Sequence, residues 1–145
     1  MIIIHPYAKK LINGKRNPKN YPFWELLIEK IDEPIIQIGI DGEKPLVKDF
    51  RKNLSMNEIR QLIKDCRIWI GVDSFFQHLA WSEGKSGIVL WSVSDPLIYG
   101  HESNTNLLKD RSYLAKNQFL WWDNTEHNSD AFVKPDEVLK FLCNP

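Results

Sequence analysis

The sequence predicts a single α/β domain over residues 1–145, with a mainly parallel sheet and helices on both of its faces. Three observations lead there. Short apolar runs rich in Ile and Val recur at residues 2–4, 35–40, 68–72 and 87–91, as expected of strands buried on both sides. The segments between them have helical period and are long enough to be the crossovers that parallel strands need. The 145 residues, 43% of them hydrophobic, suffice for one core and fall short of two ordinary domains.

Residues 2–4 form the first strand, closed by His5-Pro6. Residues 7–20 are an unusually basic loop containing Lys9, Lys10, Lys15 and Arg16. Pro22 opens a helix, because its fixed φ suits a first turn; Trp24, Leu27, Ile28 and Ile31 then make a core-facing stripe at i, i+3, i+4, i+7 spacing. Pro34 stops it. Residues 35–40 are the second strand and Asp41-Gly42-Glu43 its turn. Residues 46–50 are read as a short third strand, although Lys48 and Asp49 interrupt its apolar run. Ser55 and Glu58 make a capping box, and Ile59, Leu62, Ile63 and Cys66 give the helix after it a buried face. Strand 68–72 leads into a helix over 74–83, with Gly84 placed for a left-handed cap. Strand 87–91 runs into Ser92-Val93-Ser94-Asp95-Pro96, residues 106–108 add an edge strand, and 135–142 form a last helix. Residues 109–134 show no clear period.

Lys plus Arg and Asp plus Glu number 19 each, so no net field favours nucleic acid or an acidic membrane surface, and any basic site must be local. Cys66 and Cys143 have neither metal spacing nor a disulfide framework, which fits free thiols in a reducing cytosol. No ligand spacing implies a metal. The opening Met-Ile-Ile-Ile-His is too short for a signal segment, and no apolar run approaches the roughly 18 residues of a spanning helix. A cytoplasmic protein is expected. The six Trp, including Trp121-Trp122 after Phe119, exceed what a small core needs. Packing, a homo-oligomer interface, and base stacking by Trp91 or Trp121 are the uses open to them.

The most informative stretch is residues 68–81, where an apolar strand runs into Asp73-Ser74 and then a helix carrying His78. The first amides of a helix lack internal partners and the helix dipole adds positive potential, so this turn suits a phosphate or diphosphate. His78 follows Ser74 by one turn and shares its side of the helix. Asp and Ser are also ordinary caps, and a histidine beside Leu79 and Ala80 equally fits a core position. Ligands of parallel sheets bind beyond the carboxyl ends of the strands, a rule that gathers residues 5–16, 39–43, 73–76 and 92–96 at one edge. Lys9, Lys10, Lys15 and Arg16 supply cations there, Ser94 a hydroxyl, and Asp41 or Glu43 an acceptor for ribose hydroxyls. The bland alternative for each cation is simple solvation.

Several segments, taken in order, resemble the motifs of one family. Ile2-Ile3-Ile4-His5-Pro6 is similar to its strand and His-Pro-Gly start, Lys15-Arg16-Asn17-Pro18 to its Lys-x-Trp-Pro, and residues 39–43 to its Gly-rich turn with an acidic residue. Residues 54–59 resemble its Leu-Ser-x-x-Glu-Leu helix start, residues 70–78 its Ile-Gly-x-Asp-Ser-Gly-x-x-His signature, and residues 87–96 its strand and Thr-Asp-Pro turn. The family is the family 9 glycosyltransferases, among them the ADP-heptose:lipopolysaccharide heptosyltransferases, and the resemblance is to their C-terminal, donor-binding half. It spans residues 1–110 and leaves 111–145 as an extension. It implies a Rossmann-like domain, half of a GT-B fold, with Lys15 at the donor diphosphate, Glu43 at the ribose, and Asp73, Ser74 and His78 near the phosphate and sugar. Tyr7, Asn17 and Phe75 stand where the family has Gly, Trp and Gly, and Phe75 adds bulk where the donor's sugar sits.

A complete enzyme of that family has a second half carrying the acceptor site and the proposed base, and transfer takes place in the cleft between halves. The expectation is therefore a stand-alone binder of an adenine-type nucleotide, nucleotide sugar or nucleotide-derived signal. It would hold its ligand without turnover and so sequester it, in the manner of a phage-type inhibitor of signalling. Its ligand positions are Lys15, Arg16, Gly39, Asp41, Glu43, Asp73, Ser74, Phe75, His78 and Ser94, with no catalytic residue, metal or cofactor. The alternatives are a transferase completed by a dimer or partner subunit, and an interaction domain whose Phe75 and Phe76 fill the old site.

Overall fold

The computed structural model describes residues 1–120 and 124–143; Trp121 and Trp122, with the uses proposed for them, lie outside that range. Six strands, β1 (Ile2–His5), β2 (Ile35–Gly39), β3 (Phe50–Lys52), β4 (Ile68–Val72), β5 (Ile88–Leu90) and β6 (Thr105–Leu107), form one sheet in the order β3-β2-β1-β4-β5-β6. Every pairing is parallel. The helices are α1 (Trp24–Glu29), α2 (Met56–Asp65), α3 (Phe75–Ser82), α4 (Pro96–Tyr99) and α5 (Pro135–Leu142).

Strand alternation sorts the side chains into two cores. Ile2, Ile4, Ile70, Val72, Ile88 and Leu90 pack with Trp24 and Leu27 of α1 and Val138 and Leu142 of α5. Ile3, Ile36, Ile38, Trp69 and Val89 pack on the other face with Ile59 and Ile63 of α2 and Phe76 and Leu79 of α3. Trp69 spreads over the start of β5, where a Cβ at Gly87 would lie 2.2 Å from the indole; only glycine admits that approach.

The chain runs outward from β1 to β3, returns to β4 on the other side of β1, and runs out again to β6. α1 and α3 therefore leave neighbouring strands toward opposite faces, which makes the carboxyl edge between β1 and β4 the switch point where sheets of this kind form their ligand crevice.

Some boundaries differ from the sequence reading. The third strand is residues 50–52, not 46–50: the buried Gln37 side chain donates to Lys44 O (3.0 Å) and accepts from Leu46 N (2.7 Å), holding that segment as a loop. The first helix begins at Trp24, after a turn that includes Pro22, and ends before Ile31. Residues 96–99, most of which the sequence reading leaves unassigned, are the short α4 capped by Asp95. The edge strand starts one residue earlier, at Thr105. Residues 109–134 hold only 3-10 turns among the described residues, at Arg111–Tyr113 and Ser129–Ala131. No helix among the described residues is long and apolar enough to cross a membrane.

Candidate functional site

The crevice is walled on one side by the loop between β1 and α1. Buried Asn17, where the resemblance has Trp, organises this loop from within: its Nδ2 donates to Lys9 O (2.7 Å) and its Oδ1 accepts from Lys19 N (2.9 Å). Ser92 Oγ, from beyond β5, donates to Pro18 O (2.8 Å). The loop so fixed carries Lys19 to Asp73, with Nζ 2.9 Å from Oδ2. Asp73 Oδ1 accepts from Gln77 Nε2 at 2.8 Å, so both carboxylate oxygens are occupied.

The opposite wall is the turn from β4 into α3. Ser74 is the N-cap, its Oγ accepting from Phe76 N at 3.4 Å. The same oxygen lies 3.1 Å from Nδ1 of His5, the last residue of β1. His5 is buried, and loss of solvation pushes its pKa down to about 4, so the imidazole is neutral at neutral pH. Its ring stacks on Phe76 (5.1 Å, 10°) and meets Phe75 edge-on (5.2 Å, 86°).

The remaining sequence-derived positions are spread along the same edge. Gly39 closes β2 and makes room for Glu43: a Cβ there would fall 2.3 Å from Glu43 Oε1. That oxygen accepts from Ile40 N (2.8 Å), while burial raises the carboxyl's pKa. Asp41 is exposed and held by Asn53 Nδ2 (2.8 Å) and Lys52 (3.1 Å), which keep its carboxyl below the usual range. Lys15 and Arg16 are exposed in the β1–α1 loop. Ser94 is buried beyond β5, and among the described residues its Oγ has no hydrogen-bond partner; the same is true of Gln77 Oε1.

His78 belongs to neither core. It is exposed on the outside of α3, with Nδ1 2.8 Å from Nε2 of His101, whose ring stacks on Trp81 (4.7 Å, 9°). Burial and the neighbouring His78 lower the His101 pKa. Phe76 is buried in the second core, at 1% exposure. Trp91 is buried and donates to Asn106 Oδ1 (2.9 Å), a packing role.

Two members of the crevice, His5 and Lys19, were not among the sequence-derived ligand positions. His5 was legible in principle, since it ends the first strand at the ligand edge. Lys19 sits in the basic loop, but its meeting with Asp73 depends on tertiary folding. Asp95, Arg111 and Gln118 form a further cluster beside α4. Arg111 clasps Asp95 with two hydrogen bonds (3.1 and 2.7 Å), which lowers the Asp95 pKa, and Gln118 bonds Asp95 N and Val93 O.

A cation, capping hydroxyl and helix N-terminus at a switch point suit an anion. Asp73 is engaged there by Lys19 and Gln77, and burial lowers the basicity of His5. A shallow depression of about 700 Å³ lies at the opposite, amino edge, lined by Met1, Ile28, Ile31, Pro34, Lys48 and Asp49 among others. Its lining is largely aliphatic and lacks the switch-point geometry. Among the described residues, no group of three or more His, Cys, Asp or Glu is placed to hold a metal ion.

No family model matches the chain, and no curated protein matches it. The solved structure of E. coli ADP-heptose LPS heptosyltransferase II is similar in fold, with a TM-score of 0.68 at 18% identity, over 98% of this chain and 45% of that one. The chain thus spans less than half the length of that protein. What the likeness establishes is architecture: a Rossmann-like α/β domain comparable to one half of a GT-B glycosyltransferase fold.

Proposed function

We propose that the chain binds an adenine-type nucleotide or nucleotide sugar through its diphosphate, at the crevice between β1 and β4, and holds it without transferring any group. The observation that carries the reading is the Ser74-capped start of α3, set against a neutral His5 and beside Lys19 at the sheet's switch point. Amides at a helix start favour an anion, and a neutral imidazole leaves the cap hydroxyl free of a competing charge. Lys15 and Arg16, on the adjoining loop, supply the cations that a diphosphate attracts. The ADP portion is taken from the heptosyltransferase to which the fold is similar. The engaged Asp73 carboxylate and the low basicity of His5 support retention without turnover. Sequestration of a nucleotide-derived signal is the biological role such a binder fits.

The test is titration calorimetry with ADP, ADP-heptose, ADP-ribose, UDP-sugars and cyclic nucleotides, with chromatography of the ligand recovered from each cell. Saturable binding of an adenine nucleotide recovered intact is the expected result. Ligand consumption would replace this reading with a transferase or hydrolase. Absence of binding by every member would leave the domain an interaction scaffold.

A further inference from the structure

Three rings form a ladder from the second core to the carboxyl edge. Phe76 lies at the bottom, 1% exposed; His5 stacks on it, 6% exposed; Phe75 stands edge-on to His5 and is 47% exposed. Phe75 is the first residue of α3, directly after the Ser74 cap. Isolated exposed apolar residues are ordinary, but this ring is also braced by His5 and by Phe76, whose centroid is 6.5 Å away. Its backbone is fixed by the helix start. A braced aromatic ring with half its surface in water, next to a turn suited to phosphate, has forgone burial that a stacked ligand would restore.

We propose that Phe75 is the stacking platform for the base of the bound nucleotide, so that the ligand is a compact nucleotide whose planar ring folds back over the first turn of α3. This rests on the nucleotide-binding reading above. Phosphate on the α3 amides and a base on Phe75 would engage consecutive parts of one small molecule through consecutive residues of the chain. Phe carries no polar atom, so the platform reads ring area rather than a hydrogen-bond pattern, and larger bases bind better. The support beneath the platform is uncharged, because burial keeps His5 neutral.

The test compares ADP, UDP and ADP-ribose by titration calorimetry on the full chain and on Phe75→Ala and Phe75→Trp, after unfolding curves confirm that both variants fold. ADP and UDP share the diphosphate and differ in ring area. Wild type is expected to prefer ADP. Phe75→Ala should weaken ADP by about tenfold or more, the range for loss of base stacking, and narrow its advantage over UDP; Phe75→Trp should restore both. An unchanged or tightened ADP affinity in Phe75→Ala would overturn the inference while leaving nucleotide binding intact. So would equal loss for ADP and UDP without rescue by Trp, which marks a structural role, or a loss confined to ADP-ribose, which would put the sugar on the ring. Failure of wild type to bind any of the three overturns the nucleotide reading and this inference together.

Discussion

Asp73 keeps its carboxylate almost entirely out of water, at 6% exposure, and meets Lys19 on one oxygen and Gln77 on the other. Removing one partner of such a pair costs more than the pair contributes, because the remaining charge stays buried. Lys19→Met is therefore expected to lower the unfolding free energy by about 2–3 kcal/mol, somewhat less than for a fully buried pair because Lys19 is partly exposed. Asp73→Asn added to Lys19→Met should recover more than half of that loss in urea unfolding. A single-variant loss below about 0.5 kcal/mol would show the pair behaving as a surface ion pair. Lys15, exposed in the same loop, should behave oppositely. Lys15→Ala is expected to leave stability unchanged and to weaken ADP by about 1.5–3 kcal/mol, the range for a charge-assisted hydrogen bond. Unchanged affinity in calorimetry would remove Lys15 from the site.

Among the elements, α4 depends most on its surroundings, since four residues cannot sustain a helix alone. Asp95 holds it by capping Leu97 N (2.9 Å) while Arg111 grips both carboxylate oxygens, and Gln118 ties the following segment to Asp95 N. Asp95→Ala is expected to cost about 1–2 kcal/mol, and to lower protection of the 96–100 amides in hydrogen exchange before that of α3. Equal protection in both proteins would place the anchor of α4 elsewhere. The Asp95-Pro96 signal for a helix start was present in the sequence. What hid α4 was its length, because Arg111 and Gln118 stabilise it from a segment with no period to read. α2 was fully legible for the converse reason: its capping box is local, with Ser55 N and Glu58 Oε2 2.7 Å apart. The third strand starts later than its apolar run suggests, because the Gln37 amide, a tertiary partner, decides where the chain joins the sheet. His78 reads as helical from the sequence, but its neighbours Leu79 and Ala80 leave a core position open to it; in the structure the buried face of α3 is Phe76, Gln77, Leu79 and Ala80. The carboxyl-edge loops followed from the alternation of strands and helices, whereas the particular contact between Lys19 and Asp73 did not.

On the scale of the whole molecule, His5, His127 and Tyr21 bound a pH range of stability. His5 and His127 both have pKa values lowered by burial, to about 4 for His5. Between their folded and unfolded pKa values the unfolded chain binds more protons than the native one, so stability falls as pH drops. For His5 the window runs from 6.5 down to about 4, a loss of about 3 kcal/mol at 1.36 kcal/mol for each pH unit. Carboxylates held low by cations, such as Asp95 by Arg111 and Glu33 by Arg67, extend the decline further into acid. Glu43 works weakly against it, since burial raises its pKa. At the alkaline end Tyr21 is buried, donates to Val133 O (2.9 Å), and has its pKa raised, so stability is lost as pH rises past 10. The expected profile of unfolding free energy against pH is a plateau near neutrality with an early acid shoulder. His5→Phe, which retains an aromatic ring against Phe76, should remove most of that shoulder while leaving the alkaline limb in place. An acid limb identical in the variant and the wild type would mean that protonated His5 is accommodated in the crevice, and the neutral imidazole behind Ser74 would then no longer describe the site below neutral pH.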